Sequence, residues 1–326
     1  MLNLINYQKR LVRYLTFLIL IVVSCSKGEH SPAPDPVAEE EIIKIPVVVH
    51  VIYSEDQFNI SDDKIRSQIK VLNEDFRMRN PDHLRVPDEY KSVAADVGID
   101  FQLASIDPEG NPTNGITRTR SILMGWHGRV TAQADTLEKL PLYHTNKGGH
   151  DAWPRDKYLN IWIADLSDRN GNVIIAGYSQ FPGAPAAADG VVIDPRCFGT
   201  LPPLTPQQSL GRTATHEIGH WLNLYHIYAQ PSDDVDDTPP GCQPNLSRLS
   251  ALSIKCVTEG ALPLKTNSPS SADCGPSPMT MNFMDYVSDE NMYMFTRGQK
   301  ERMRSLFKKS GAREALYRNN TLIIKN

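Results

Sequence analysis

One stretch constrains this chain more than any other: His216-Glu217-Ile218-Gly219-His220-Trp221-Leu222-Asn223-Leu224-Tyr225-His226. On a helix, His216 and His220 project from one face, about one turn apart. Their imidazoles can share one Zn2+, each at roughly 2.0–2.1 Å. Glu217 is rotated about 100° round the axis from His216, so it addresses the open side of such an ion, where a general base must stand. His226 would point away if the helix simply ran on. The chain must therefore turn sharply after Leu222. Asn223 stands at that point, and Asn tolerates the left-handed conformation that ends helices better than other non-glycine residues. Turned back in this way, His226 supplies a third ligand. Three protein ligands and one open position are the pattern of a catalytic zinc, not a closed structural one.

The start of the chain reads as a targeting segment. Lys9, Arg10 and Arg13 make a positive patch, and residues 11–23 are mostly apolar. That run is shorter than the roughly 20 residues a bilayer requires and suits a signal-peptide core. Val22-Val23-Ser24-Cys25 resembles a bacterial lipobox, with Cys25 the lipidated residue. Residues 26–41 are rich in Pro, Glu and Ser and read as a flexible tether. The folded part is then expected outside the inner membrane, anchored at the cell envelope or released. In an exported chain the four remaining cysteines, Cys197, Cys242, Cys256 and Cys274, suggest two disulfides, with three pairings open.

The rest of the chain has α/β patterning. Residues 42–53 are a β-branched run that reads as a buried strand. Ser61 is a candidate N-cap for an amphipathic helix over 62–78, where Ile65, Ile69, Leu72 and Phe76 recur at helical spacing. Alternation predicts strands over 97–103 and 159–163, and two short ones near 174–181 and 191–194. Residues 212–225 read as the helix carrying the histidines. Residues 230–282 lack periodicity, and disulfides or bound ions would explain how so long a stretch stays ordered. Thr296 with Gln299 three residues on predicts a capped last helix over 297–308. The 326 residues carry a net charge of only -4 and, past the targeting segment, no Lys/Arg cluster beyond short runs such as 300–309, so nucleic acid is not an expected partner.

These motifs resemble those of a known family. His216 to His226 is similar to the extended zinc signature H-E-x-x-H-x-x-G-x-x-H of the metzincin metallopeptidases. Asn282-Phe283-Met284-Asp285-Tyr286 resembles the methionine-containing turn these enzymes carry beneath the metal. With Ile45-Pro46-Val47-Val48-Val49-His50-Val51, Tyr158-Leu159-Asn160-Ile161-Trp162-Ile163 and Asp236-Asp237-Thr238-Pro239, the likeness is to the bacterial pappalysin-like (ulilysin/cytophagalysin) branch, over roughly residues 42–307.

The resemblance implies a metzincin-like α/β catalytic domain over 42–326, divided at 222/223. Its upper part would be a twisted mixed sheet with an antiparallel edge strand and backing helices. Its lower part would be irregular, with the Met-turn and a final helix. Met284 would form an apolar base under the ligands. Tyr286 would face the zinc, ligating it at rest or hydrogen-bonding the oxyanion. Asn223 replaces the family's glycine, which its left-handed tolerance allows. Calcium is implied near residues 233–238, whose four carboxylates suit an oxygen-liganded ion, with Asp234, Asp236 and Thr238 as the expected ligands. The expected activity is zinc-dependent endopeptidase cleavage by a monomer. The substrate would be an extended peptide paired to the strand within 174–181. Asp289 and Glu290 would favour Lys or Arg just after the cleaved bond. The competing reading is a catalytically silent metzincin-fold surface lipoprotein, against which the retained Glu217 argues.

Overall fold

The computed structural model describes residues 41–126, 139–168, 173, 175–229, 232–241, 245 and 277–319. The proposed signal segment, Cys25 and nearly all of the tether lie outside these residues. Strand β1 (Ile43–Tyr53) is the centre of the sheet. It pairs in parallel with β2 (Ile99–Leu103) and β3 (Ile116–Arg120) along one side and with β4 (Leu159–Ala164) on the other. β5 (Gly177–Ser179) and β6 (Gly190–Ile193) complete it, in the order β2-β1-β4-β6-β5. β6 is parallel to β4, and β5 is antiparallel to β6 in the register Tyr178↔Val192. Among the described residues the sheet is therefore mixed, with one antiparallel strand, β5, at its edge.

The continuous apolar run of β1 follows from burial on both faces, as parallel strands require. Side chains alternate between two layers. Val47, Val49, Val51, Ile161, Ile163 and Val191 face the helices. Ile52, Trp162, Ala164 and Val192 face the other side, against Leu142 and Tyr143. Each such fully buried aliphatic side chain contributes roughly 1.5–3 kcal/mol.

Helix α1 (Asp62–Asp75) backs the sheet. Ser61 caps it, its Oγ accepting the Lys64 amide at 3.2 Å. The helix stops three residues short of the predicted end: Phe76 caps it and Met78 has a left-handed φ of 48°. Asn73 fastens it to β2, donating to Phe101 O (2.9 Å) and accepting the Phe101 amide (2.6 Å). Helix α2 (Arg212–Trp221) carries the histidine motif and packs on α1, β5 and β6. Helix α3 (Arg297–Ser305) has the expected capping box between Thr296 and Gln299. A short helix α4 (Glu314–Asn319) and strand β3 were not predicted. No helix among the described residues is long and apolar enough to cross a membrane.

Candidate metal centre

Helix α2 is held at both ends. Its N-cap, Gly211, has a left-handed φ of 77° and no capping side chain. Asp289 supplies the cap from a distant loop, its Oδ2 accepting the amides of Leu210 (2.8 Å) and Arg212 (3.2 Å). Burial pushes the Asp289 carboxyl up to about 6, against the opposing effect of those amides. Arg212 grips both carboxylate oxygens of Asp82 at 2.6 and 2.7 Å, a two-point geometry that fixes orientation. At the other end, Trp221 Nε1 donates to Asp189 Oδ1 (2.7 Å), and the Arg313 guanidinium lies 3.6 Å over the Trp221 ring.

The helix ends at Trp221, four residues before the end of the 212–225 segment read from sequence, because Asn223 adopts the left-handed conformation with φ 72°. The Leu224 amide donates back to Gly219 O (2.9 Å) and the Asn223 amide to His220 O (2.8 Å). This pair of bonds is a Schellman closure, which satisfies the last helical carbonyls. It reverses the chain and brings His226 back to the other two histidines.

The three Nε2 atoms converge. His216 lies 3.1 Å from His220 and 3.2 Å from His226, and His220 lies 3.0 Å from His226. The Nδ1 atoms of the first two face carbonyls: His216 faces Phe283 O at 2.6 Å, and His220 faces Leu224 O at 2.7 Å. A carbonyl only accepts, so each Nδ1 carries the ring proton and each Nε2 is a bare lone pair. Burial pushes His216 down to about 4 and His220 to about 3, and holds His226 well below its usual value, so protons do not relieve the crowding at neutral pH. Lone pairs this close repel unless a cation lies between them. Separations near 3 Å suit nitrogens each roughly 2.0–2.1 Å from one tetrahedral ion. Among the described residues this is the one group of three or more His, Cys, Asp or Glu whose ligand atoms meet.

Beneath the triad, Met284 is fully buried against Gly219. Its amide donates to Asn282 Oδ1 (2.9 Å), and Asn282 and Gln299 exchange two side-chain hydrogen bonds of 2.9 Å. The capping residue of α3 thus also holds the Met-turn. Tyr286 stacks on His216 at 5.5 Å and tilts against His226 at 4.5 Å. Glu217 is buried on the side of β5. Gly177 is needed there, since a Cβ on it would stand 3.1 Å from Glu217 Cγ and 2.8 Å from Ile193 Cδ1. Burial pushes the Glu217 carboxyl up to about 8, and the neighbouring Ser179 hydroxyl works the other way.

The structure thus brings His216, Glu217, His220, Asn223, His226, Met284 and Tyr286 into one site. It does not gather the acidic loop into a cluster of carboxylates. Asp233 closes its own turn by accepting Thr238 Oγ1 (2.6 Å). Asp237 braces the start of α3, accepting Thr296 Oγ1 (2.6 Å) and the Gly298 amide (2.9 Å). Asp234 faces Arg302 at 3.7 Å. Among the described residues, Asp234, Asp236 and Thr238 belong to no group of three or more His, Cys, Asp or Glu whose ligand atoms meet. Cys197 is the only cysteine among the described residues, with Sγ 4.0 Å from Thr205 Oγ1; Cys242, Cys256 and Cys274 lie outside them. Of the two acids expected to set specificity, Asp289 is engaged as a helix cap and Glu290 is exposed. Sequence reasoning missed the Asp289 cap, the two carbonyls that orient the histidines, and Tyr228, which stacks on His226 at 4.8 Å. Only its nearness to a ligand in the chain could have flagged Tyr228.

A peptidase family model described as pregnancy-associated plasma protein-A matches residues 144–308, about half of the chain. The chain belongs to the pappalysin family of metallopeptidases. This pappalysin is 37% identical to mature mirolysin of Tannerella forsythia, solved with a cleaved peptide, at a TM-score of 0.70 over 88% of this chain and 100% of that one. It is 35% identical to promirolysin of the same organism, at a TM-score of 0.70 and 88% coverage of both chains. It is also 29% identical over 278 residues to extracellular metalloprotease 1 of Coccidioides posadasii, covering 82% of this chain and 77% of that protein. The pappalysin is a metalloendopeptidase with a metzincin fold, and a metal-dependent one.

Proposed function

We propose that this pappalysin is a zinc endopeptidase in which His216, His220 and His226 hold the metal through Nε2 and Glu217 is the general base. The observation that carries this reading is the meeting of three Nε2 lone pairs, two of them fixed by Nδ1 bonds to carbonyls. Zinc bound there would act as a Lewis acid on the peptide carbonyl and acidify water. Glu217 stands beside this site, between α2 and β5. Glu217 takes the proton from the attacking water as the carboxylate and returns it to the leaving nitrogen; burial raises its affinity for that proton, and a cation held by the three histidines would favour the ionised form before attack. Tyr286, against two of the ligands, donates a hydrogen bond to the oxyanion. Met284 keeps the floor of the site apolar. The substrate backbone pairs with the antiparallel edge strand β5, and mature mirolysin's bound cleaved peptide supports a peptide as substrate. A silent binding protein would have no use for a carboxylate buried in this position.

The substrates are extracellular proteins, in keeping with relatives named extracellular metalloproteases and with the signal-like start of the chain. Cys25 carries the lipid that anchors it at the envelope, which the mass of the mature N-terminal peptide checks. A preference for Lys or Arg after the cleaved bond rests on Glu290, and a Glu290→Lys variant with an unchanged peptide-library profile counts against it.

The test is casein cleavage by the soluble part from Ser26 onward, with metal content measured in parallel. A chelator should abolish cleavage and zinc should restore it. His226→Ala should lose both metal and activity. Undiminished cleavage by metal-free protein would refute the reading.

A further inference from the structure

Tyr228 is not used by the chemistry above. Its ring lies 4.8 Å from the His226 ring with the planes 6° apart, and 5.3 Å from Tyr286, tilted by 52°. The residue is 7% exposed, yet its hydroxyl has no hydrogen-bond partner among the described residues. An unpaired buried hydroxyl is costly, and a phenylalanine would fill the same space without that cost. Stacking on His226 therefore accounts for the ring but not for the oxygen. The charges of Tyr286, Asp285 and Glu217 act on that oxygen, and the Tyr286 hydroxyl is near enough to act on it as a hydrogen-bonding neighbour as well, although the two do not meet the geometry of a formed bond. Asp285 is already engaged, accepting the Tyr286 amide at 2.8 Å through Oδ1 and Asn245 Nδ2 through Oδ2. Glu217 belongs to the proton transfer. Tyr286 remains, on a ring already in contact with Tyr228.

We propose that Tyr228 is a positioning residue for Tyr286: with substrate in the cleft its hydroxyl donates to the Tyr286 phenol oxygen and holds the Tyr286 proton toward the oxyanion. A hydroxyl that accepts a hydrogen bond is polarised into a better donor, so the bond orients Tyr286 and also strengthens it. The pairing keeps Tyr228 itself away from the reacting atoms. It rests on reading Tyr286 as the oxyanion donor.

The experiment compares Tyr228→Phe, Tyr286→Phe and the double variant as zinc-loaded proteins. It measures kcat and KM on one peptide, affinity for a phosphinic peptide that mimics the tetrahedral state, affinity for a cleaved product peptide, and Tm. Tyr228→Phe should lower kcat about tenfold with KM little changed, one hydrogen bond's worth. Affinity for the phosphinic peptide should fall by a similar factor and affinity for the product should not. Tm should not fall, since the variant removes an unpaired hydroxyl and keeps the stack. The double variant should be no slower than Tyr286→Phe alone. The proposal is overturned if Tyr228→Phe turns over at the wild-type rate, if it costs the same factor again in the Tyr286→Phe background, or if both ligands weaken equally as Tm drops. Tyr286→Phe at the wild-type rate would instead remove the oxyanion reading, and this proposal with it.

Discussion

Gly219 and Met284 claim one volume: a Cβ on Gly219 would overlap the Met284 sulfur and stand 3.3 Å from its methyl carbon. The glycine inside the histidine motif is thus required by the Met-turn, although it ligates nothing. Gly219→Ala should cost about 1–3 kcal/mol, as overpacking does, and weaken metal retention by displacing the turn under His216. Adding Met284→Ala should recover part of the loss. Urea unfolding of the four proteins of this cycle checks it; additive losses would mean that the two positions do not compete.

Asn223 closes the helix with φ 72°. Asn223→Gly should leave stability within about 0.5 kcal/mol and retain zinc, because glycine enters this region freely. Asn223→Val should lose at least about 1–2 kcal/mol and much of the metal, because a β-branched residue resists it. Metal content after dialysis and Tm separate the two outcomes.

Asp289 caps α2 in place of the side chain that Gly211 lacks. Asp289→Ala should destabilise by about 1–3 kcal/mol, leaving two amides without their acceptor, and Asp289→Asn by less. Equal stability of all three proteins in urea would show that the cap contributes nothing.

His50 gives a pH dependence of known sign. It is buried in β1, stacked on His150 at 4.2 Å, with Nε2 3.1 Å from Asn160 Oδ1. Burial first, and then His150, push it from 6.5 down to about 3. Between those values the unfolded chain binds the proton and the folded one does not, so this contribution is present above about pH 6.5 and is lost as pH falls toward 3. His50→Gln should remove up to one proton from the slope, about 1.4 kcal/mol per pH unit at most. Stability curves of equal slope between pH 6 and 4 would exclude the assignment.

Much of the site could be read from spacing because its parts are local. His216 and His220 share a helix face, Asn223 marks the turn, and Thr296 with Gln299 signals a capping box. What escaped is what depends on distant partners. Asp289 reaches a helix 77 residues earlier in the chain, and nothing near either residue shows it. Strand β3 reads Ile-Thr-Arg-Thr-Arg and is half exposed, so no apolar alternation betrays it. Its pairing is set by β1, from Val49↔Ile116 to Tyr53↔Arg120. The acidic loop is expected to hold an ion because its charges are adjacent in sequence, and adjacency does not show what two of its carboxylates also hold. In the fold they separate, Asp237 to the start of α3 and Asp233 to its own turn.

The most direct measurement is casein cleavage by Glu217→Ala with zinc counted in the same sample. The account expects one zinc per chain, as in the wild type, and cleavage reduced at least about 100-fold, the scale of a lost general base. Cleavage at the wild-type rate with zinc bound would contradict it, because the proton would then travel without Glu217.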